Sequence, residues 1–322
     1  MKACVVRYGA IGDMIMASSI FPGLKAQGYH VTVNCYPSSK EIIKNDPHVD
    51  AFILQEPDEI PNAELKPYWD KMAKKFDKFI NLSESVEGTL LGLPFRMTGI
   101  WPKEARAFLM DKNYLEFHHV LAGVPFVPRA KFYPTREEKQ WAENERRKHR
   151  GKFVVFWSLS GSATHKISPW TDDVISRLLL TTDDVVVYLA GGPECEILEA
   201  GWEHEPRVVC CSGKWDIRKS LAFAQVSDLV VGTETGVLNA VGLEEVPKVV
   251  LLSHSSPEML TKHWKNTTSL EPSVPCYPCR LLHYNRDYCP KAPSGSSYCA
   301  ESITADQIYR AVIAYHDERK AA

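Results

Sequence analysis

Short apolar, β-branched runs alternate with amphipathic stretches over most of the chain. The first run, residues 3–7, ends before Gly9 and Gly12, and residues 11–25 then have helical periodicity with a kink predicted at Pro22 and Gly23. The strands predicted in this half are residues 3–7, 30–35, 50–54 and 78–82. Strands that alternate with helices predict a parallel sheet covered on both faces.

A second series of the same kind follows a charged stretch at residues 136–150, which has the spacing of an exposed helix. Its predicted strands are residues 153–157, 184–189, 208–210, 228–232 and 248–252. Helices are predicted at residues 114–121, 170–180, 217–225 and 305–319, whereas the rest of residues 84–127 shows no alternation. The pattern predicts an α/β protein of two Rossmann-like domains, residues 1–150 and 151–322.

Composition limits the function classes. The length of 322 residues indicates two domains. The composition, 44% hydrophobic and 24% charged, is that of a globular protein. With 38 Lys and Arg against 40 Asp and Glu, the net charge of -2 argues against an affinity built on nucleic-acid phosphates. No apolar run reaches the length of a bilayer span, and Arg7 interrupts the first run before a signal peptide could form, so we expect a cytoplasmic protein.

Three glycine turns follow predicted strands, where ligands bind in such sheets. The first, Gly9 to Asp13, lacks the third glycine of a dinucleotide fingerprint, and Asp13 is either a helix cap or a general base. The second, Ser158 to Lys166, is either a surface turn or a diphosphate site, in which hydroxyls and Lys166 bind the anion. The third is Gly232 to Gly236, where Glu234 could accept hydrogen bonds from sugar hydroxyls.

Taken in order, these turns resemble those of glycosyltransferase family 9, the heptosyltransferases that use ADP-heptose. The matching segments are Arg7 with Gly9, Gly12 and Asp13; Ser160 and Gly161 through Lys166, Pro169 and Trp170; and Glu234-Thr235-Gly236. The family usually has Asp at the position of Glu234 and commonly a His at the position of Asn239. The resemblance covers nearly the whole chain.

The resemblance implies a GT-B fold, in which two Rossmann-like domains with parallel sheets face a central cleft. It also implies an inverting, metal-independent transfer of heptose from ADP-heptose, and the sequence contains no Asp-x-Asp motif. By the same resemblance, Asp13 is the general base and Lys166 stabilises the leaving diphosphate. The implied donor-binding residues are Gly12, Ser160, Ser162, Thr164, Glu234, Thr235 and Gly236.

Other functions stay open at this point. They are a GT-B transferase or epimerase-like enzyme with another donor such as a UDP-sugar, and a non-catalytic sugar-nucleotide-binding module. Lipopolysaccharide core, a protein side chain and a modified nucleobase are all acceptors compatible with the same base.

Four cysteines form a C-x2-C-x9-C-x9-C series near the end of the chain: Cys276, Cys279, Cys289 and Cys299. Four thiolates complete a tetrahedral site for zinc or iron, with no open position for catalysis. The alternatives are a pair of disulfides or free thiols. A cytoplasmic location favours the structural metal, as does a comparable iron-binding finger in some protein-modifying heptosyltransferases.

Overall fold

The computed structural model describes residues 1–93, 96–282, 289 and 292–321. Its strands form two parallel sheets, which confirms the α/β prediction. The first sheet has the order β3-β2-β1-β4, with β1 (Lys2–Val6), β2 (His30–Cys35), β3 (Ala51–Leu54) and β4 (Lys78–Asn81).

The second sheet has six strands in the order β10-β9-β8-β5-β6-β7. They are β5 (Phe153–Ser158), β6 (Val185–Ala190), β7 (Val208–Cys210), β8 (Leu229–Thr233), β9 (Lys248–Leu251) and β10 (Thr267–Leu270). Every residue of β5 and β6 is buried, because helices cover both faces of a parallel sheet. The division at residues 150 and 151 stays a prediction.

The helices flank both sheets and one helix closes the chain. They are α1 (Ile11–Ser18), α2 (Phe21–Ala26), α3 (Pro37–Ile43), α4 (Asn62–Ala73), α5 (Leu82–Leu90), α6 (Lys103–Met110), α7 (Tyr114–Ala122), α8 (Arg136–Arg147), α9 (Thr171–Thr181), α10 (Ile217–Ala224), α11 (Gly236–Val241), α12 (Tyr298–Ser302) and α13 (Ala305–Ala321). None of them, within the described ranges, is long and apolar enough to cross a membrane.

One prediction of local structure was wrong. The single kinked helix at residues 11–25 is two helices, α1 and α2, and Pro22 lies in the first turn of α2. Proline is tolerated there because a first-turn N–H has no partner within the helix. Residues 84–127 contain most of α5, all of α6 and α7 and no strand among the described residues, so the alternation of strands and helices stops there as predicted.

One apolar core continues from the first sheet to the second. It joins Val5 and Met14 of the first half to Leu221 of α10 and Leu238 of α11. A separate core, around Val155 and Val187, fills the other face of the second sheet. The continuous core holds the carboxyl ends of β1, β5 and β8 close to one another.

Candidate active site

A cleft of about 550 Å³ opens where these strand ends meet. It is within the size range of small-molecule sites, and residues of both sheets line it. The predicted site residues that line it are Gly12, Asp13, Ser160, Ser162, Lys166, Glu234, Thr235 and Gly236. The carboxylate of Asp13 and the ammonium of Lys166 therefore share one cavity.

Asp13 both caps a helix and lines the cleft. Its Oδ2 accepts a hydrogen bond from the Ala10 N–H at 2.8 Å, and its Oδ1 lies 2.7 Å from Nη2 of Arg7. Arg7 is 1% exposed and Asp13 is 31% exposed, so the buried guanidinium fixes the carboxylate while one side of it faces the cavity. Each carboxylate oxygen has two lone pairs, which leaves acceptor capacity toward a ligand.

The N-termini of α1 and α11 cross at two glycines. A Cβ on Gly236 would lie 2.6 Å from Cγ2 of Ile11, and a Cβ on Gly12 would lie 2.9 Å from Nδ2 of Asn239. Asn239 is itself held, because its Nδ2 donates to the Thr235 carbonyl at 2.9 Å. Gly12 and Gly236 thus permit the two halves of the molecule to approach closely beside the cleft.

Lys166 is buried in the wall of the cleft. Its Nζ donates to the Glu234 carbonyl at 2.9 Å, and Gly161 lies against its side chain, with a hypothetical Cβ 2.7 Å from Cδ. Burial lowers the pKa of Lys166, and the charges of Glu234 and Asp13 oppose that shift. The electrostatic influence of Asp13 reaches Lys166 across the cleft.

The hydroxyls of the second turn have different surroundings. Ser160 Oγ lies 2.9 Å from Sγ of Cys195, and Ser158 Oγ lies 3.2 Å from Oγ1 of Thr235, the N-cap residue of α11. Ser162 is exposed at the cleft. Thr164 begins a short 3-10 turn, Thr164–Lys166, and its side chain lies outside those that the structure describes.

Glu234 is 5% exposed, and its carboxylate is bound by the segment after β9. Oε1 accepts from the N–H groups of Ser253 at 2.6 Å and Ser255 at 3.2 Å, and Oε2 accepts from Ser255 Oγ at 3.2 Å. Nδ1 of His254 lies 2.7 Å from Oε2. Burial would raise the pKa of Glu234, but His254, Lys166 and the Ser253 N–H outweigh it and lower this pKa to about 2. The contact of Glu234 with sugar hydroxyls stays a prediction.

Two groups of cleft residues were missed by the sequence analysis. One is His254, which follows β9 as the predicted residues follow their own strands. The other is an end of the cleft formed by Gly191 to Glu194 and Trp215, which combines the indole ring of Trp215 with the carboxylate of Glu194. Trp215 packs against Phe156 with the two rings nearly parallel, at 12°. The glycine pair after β6 was the available signal for this end.

The four cysteines line one smaller cavity of about 130 Å³. Cys289 and Cys299 are hydrogen-bonded to each other, which raises the pKa of Cys289 and lowers that of Cys299 to about 7. Burial raises the pKa of Cys279 to about 11. Among the described residues, no group of three or more His, Cys, Asp or Glu side chains has an arrangement that could hold a metal ion. The metal site therefore stays a prediction.

The segment around Cys276 and Cys279 connects the two halves of the molecule. Nζ of Lys103, in α6, donates to the carbonyls of Pro275 and Tyr277, and Nε of Arg106 donates to the Cys279 carbonyl at 2.7 Å. On the other side, the Arg280 N–H donates to the His254 carbonyl at 2.9 Å. The cysteine segment thus lies between α6 and the cleft wall.

Comparison with known proteins identifies the fold. Neither the protein-family models nor the curated protein sequences give a match. Among solved structures, a glycosyl transferase family 9 protein from Veillonella parvula matches with a TM-score of 0.69 and 13% identity, over 98% of this chain and 97% of that chain. The ADP-heptose LPS heptosyltransferase II of E. coli matches with a TM-score of 0.67 and 15% identity, over 99% and 100%.

A third similar structure is the iron-containing dodecameric glycosyltransferase TibC from enterotoxigenic E. coli. It matches with a TM-score of 0.61 and 13% identity, over 100% of this chain and 80% of that chain. At these identities the likeness is one of fold, and it confirms the predicted GT-B architecture over nearly the whole chain.

Proposed function

We propose that the protein is an inverting glycosyltransferase that transfers heptose from ADP-heptose to a hydroxyl acceptor, without a catalytic metal. One observation carries the proposal: Asp13 and Lys166, from opposite halves of the chain, line the same cleft. A base and a cation on one cavity are what a displacement at an anomeric carbon needs, since one group takes a proton while the other stabilises the leaving group.

The cleft offers matching surfaces for the parts of a nucleotide sugar. Trp215, which lines the cleft together with Gly191 and Gly192, offers an aromatic surface suited to the nucleobase. Lys166 and the hydroxyls of Ser160 and Ser162 suit a diphosphate. Two solved structures of similar fold support the choice of donor, an ADP-heptose LPS heptosyltransferase and TibC in complex with ADP-D-β-D-heptose.

In the proposed reaction, Asp13 removes the proton from the acceptor hydroxyl as that oxygen attacks the anomeric carbon. The bond from the anomeric carbon to the diphosphate breaks, and ADP leaves with the electron pair. Arg7 holds the Asp13 carboxylate in place at 2.7 Å, and Lys166 neutralises charge that develops on the leaving phosphate.

The test combines a donor panel with one substitution. Wild-type protein is incubated with ADP- and UDP-sugars, and transfer or hydrolysis is followed by mass spectrometry. Asp13→Asn keeps the shape of the side chain but removes the base, so we expect kcat to fall by about 10²–10⁴. ADP binding, measured by calorimetry, is expected to stay within about threefold of wild type. Asp70→Asn, at an exposed carboxylate in α4, is the control.

Each outcome of this test has a clear meaning. Near-normal turnover by Asp13→Asn would reject Asp13 as the base. Transfer only from UDP-sugars would replace the donor and keep the reaction class. Binding of a nucleotide sugar with neither transfer nor hydrolysis would favour the binding module instead.

We also propose that Cys276, Cys279, Cys289 and Cys299 hold a structural zinc or iron ion. All four line one cavity, and four thiolates are a complete ligand set for either metal. Bound there, the ion would fix the cysteine segment between α6 and the loop at His254. TibC, which is described as iron-containing, lends the proposal further support.

Metal analysis of the purified protein tests this second proposal. We expect about one zinc or iron ion per chain, and loss of that ion in Cys276→Ser/Cys279→Ser. Cys4→Ser, which changes a buried cysteine elsewhere in the fold, is expected to retain it. Absence of stoichiometric metal from the wild-type protein would reject the site.

A further inference from the structure

The pair of Glu234 and His254 lies in the wall of the cleft, and the reaction proposed above uses neither side chain. His254 is 5% exposed and its Nδ1 lies 2.7 Å from Oε2 of Glu234. The carboxylate is in turn fixed by hydrogen bonds from Ser253 and Ser255. A buried carboxylate with this many donors is a rigid support for an imidazole ring.

The contact with Glu234 determines which ring nitrogen of His254 is available to a ligand. An ionised carboxylate only accepts hydrogen bonds, so Nδ1 of His254 is the nitrogen that carries a proton toward Glu234. Nε2 makes no hydrogen bond with any residue in the described part of the chain. His254 lines both the cleft and the cavity of the four cysteines, and with Nδ1 held by Glu234, Nε2 is the ring nitrogen left for a bound molecule.

Glu234 also positions the buried cation of the cleft. Its backbone carbonyl accepts from Nζ of Lys166 at 2.9 Å, while its side chain binds the imidazole. One residue therefore holds both an ammonium and an imidazole in the wall of one cavity. The hydroxyl of Ser160 lines the same cavity. Such a set of donors is suited to an anion with several oxygens.

We propose that His254 binds the donor directly, with its Nε2–H donating to a phosphate oxygen of the nucleoside diphosphate, and that Glu234 is the positioning residue that orients the ring. The inference rests on the proposed function, whose donor supplies the anion. Donation from both ring nitrogens, to Glu234 on one side and to the phosphate on the other, places the imidazole ring between two anions.

Two substitutions at one position separate the two ring nitrogens. The amide nitrogen of Asn occupies roughly the place of Nδ1, whereas that of Gln occupies roughly the place of Nε2. With ADP as the probe in titration calorimetry, we expect His254→Asn to weaken binding by about tenfold or more, as loss of a hydrogen bond to a charged group does. His254→Gln is expected to stay within about threefold of wild type, because its amide still donates to the phosphate.

The controls distinguish a contact from a structural effect. His263→Asn changes another histidine paired with a glutamate, at 2.8 Å from Glu116, outside the cleft, and is expected to bind ADP as wild type does. Glu234→Gln keeps a polar partner for Nδ1 but removes the balancing charge, so we expect its loss of ADP affinity to lie between those of the two His254 variants. Circular dichroism in the near ultraviolet checks that each variant keeps native packing.

The outcomes for this inference and for the proposed function can be told apart. If wild type binds ADP and His254→Asn binds it equally well, the role of His254 is overturned while the transferase proposal stands. If His254→Gln loses as much affinity as His254→Asn, the position of the donor nitrogen is irrelevant and direct contact is overturned. If wild type binds neither ADP nor UDP, both proposals fail together.

Discussion

At the scale of single residues, Lys166 is a buried cation whose surroundings leave it able to bind an anion. Burial lowers its pKa, and the charges of Glu234 and Asp13 work in the opposite direction. Within the described part of the chain, the Glu234 carbonyl accepts from one of the three N–H donors of Lys166 at 2.9 Å, and the other two stay available to a ligand in the cleft. Gly161 packs against Cδ of Lys166, so a side chain at position 161 would collide with the lysine.

Replacement of Lys166 therefore tests the diphosphate site. We expect Lys166→Met to weaken ADP binding by about 10–100-fold, since a hydrogen bond to a charged group contributes about 1.5–3 kcal/mol. Lys166→Arg is expected to restore little of this affinity, because a planar guanidinium cannot place its donors where the compact ammonium of Lys166 places them. The measurement is titration calorimetry with ADP, and Lys25→Met, at an exposed pair with Asp50, is the control. Unchanged affinity in Lys166→Met would contradict the assignment.

Sequence reasoning found Asp13 and Lys166 because each follows a strand end in a turn that contains glycine. His254 follows β9 in the same way, but its neighbours are serines, and no glycine marked the turn. The pairing of Glu234 with His254 could not be predicted either. The two residues are 20 positions apart with a whole strand between them, and only the parallel pairing of β8 and β9 brings the ends of these strands together.

At the scale of elements, the crossing of α1 and α11 determines the shape of the cleft. The two helix N-termini touch at Gly12 and Gly236, close to Asp13 and Thr235. A side chain at either glycine would push the helices apart, but the two positions differ in what they meet. Gly236 faces the branched Cβ of Ile11 and the backbone N of Gly12, whereas Gly12 faces the end of the Asn239 side chain.

We expect Gly236→Ala to be more harmful than Gly12→Ala. The added methyl in Gly236→Ala meets atoms that cannot move without shifting α1, which costs about 1–3 kcal/mol of unfolding free energy. In Gly12→Ala the added methyl meets only the end of the Asn239 side chain, whose displacement costs its hydrogen bond to the Thr235 carbonyl, so the expected loss is about 1 kcal/mol. Urea denaturation of both variants measures the difference. Equal losses, or a larger one in Gly12→Ala, would show that this helix contact is not a tight one.

Most helices and strands could be predicted from the sequence, because the periodicity of their apolar residues is clear. The errors in these predictions have physical causes. Pro22 was placed inside a helix, yet it lies in the first turn of α2, where its missing N–H has no cost. The strand β10 was not predicted, because Thr267–Leu270 is polar and only half-buried at the edge of the sheet. The helix α7 was predicted well, since Asn113 caps its start and Gly123, with φ of 57°, ends it.

At the scale of the whole molecule, the two-sheet architecture followed from the sequence, but the contacts between its halves did not. Such contacts join residues far apart in the chain, and no local pattern encodes them. The cysteine segment, for example, reaches α6 through Lys103 and Arg106. Asp111, just after α6, pairs with Arg280 at 2.8 Å. A metal-bound segment at this place would therefore influence how the two halves are held around the cleft.

Arg218 in α10 makes a second set of contacts between the halves, and its replacement tests whether the two halves unfold as one unit. Its guanidinium binds both carboxylate oxygens of Glu138, at 2.6 and 2.7 Å, and donates to carbonyls at the end of α3, including that of Glu41. Arg218→Met keeps the apolar stem but leaves these acceptors unpaired, so we expect a loss on the order of 3 kcal/mol. In calorimetry we expect one transition for wild type and a broader or divided transition for Arg218→Met, because the first sheet then unfolds more independently. Lys66→Met, at an exposed pair with Asp70 in α4, is expected to change stability by less than about 1 kcal/mol. If Arg218→Met unfolds with the midpoint and width of wild type, the halves are coupled through the continuous apolar core rather than through this arginine.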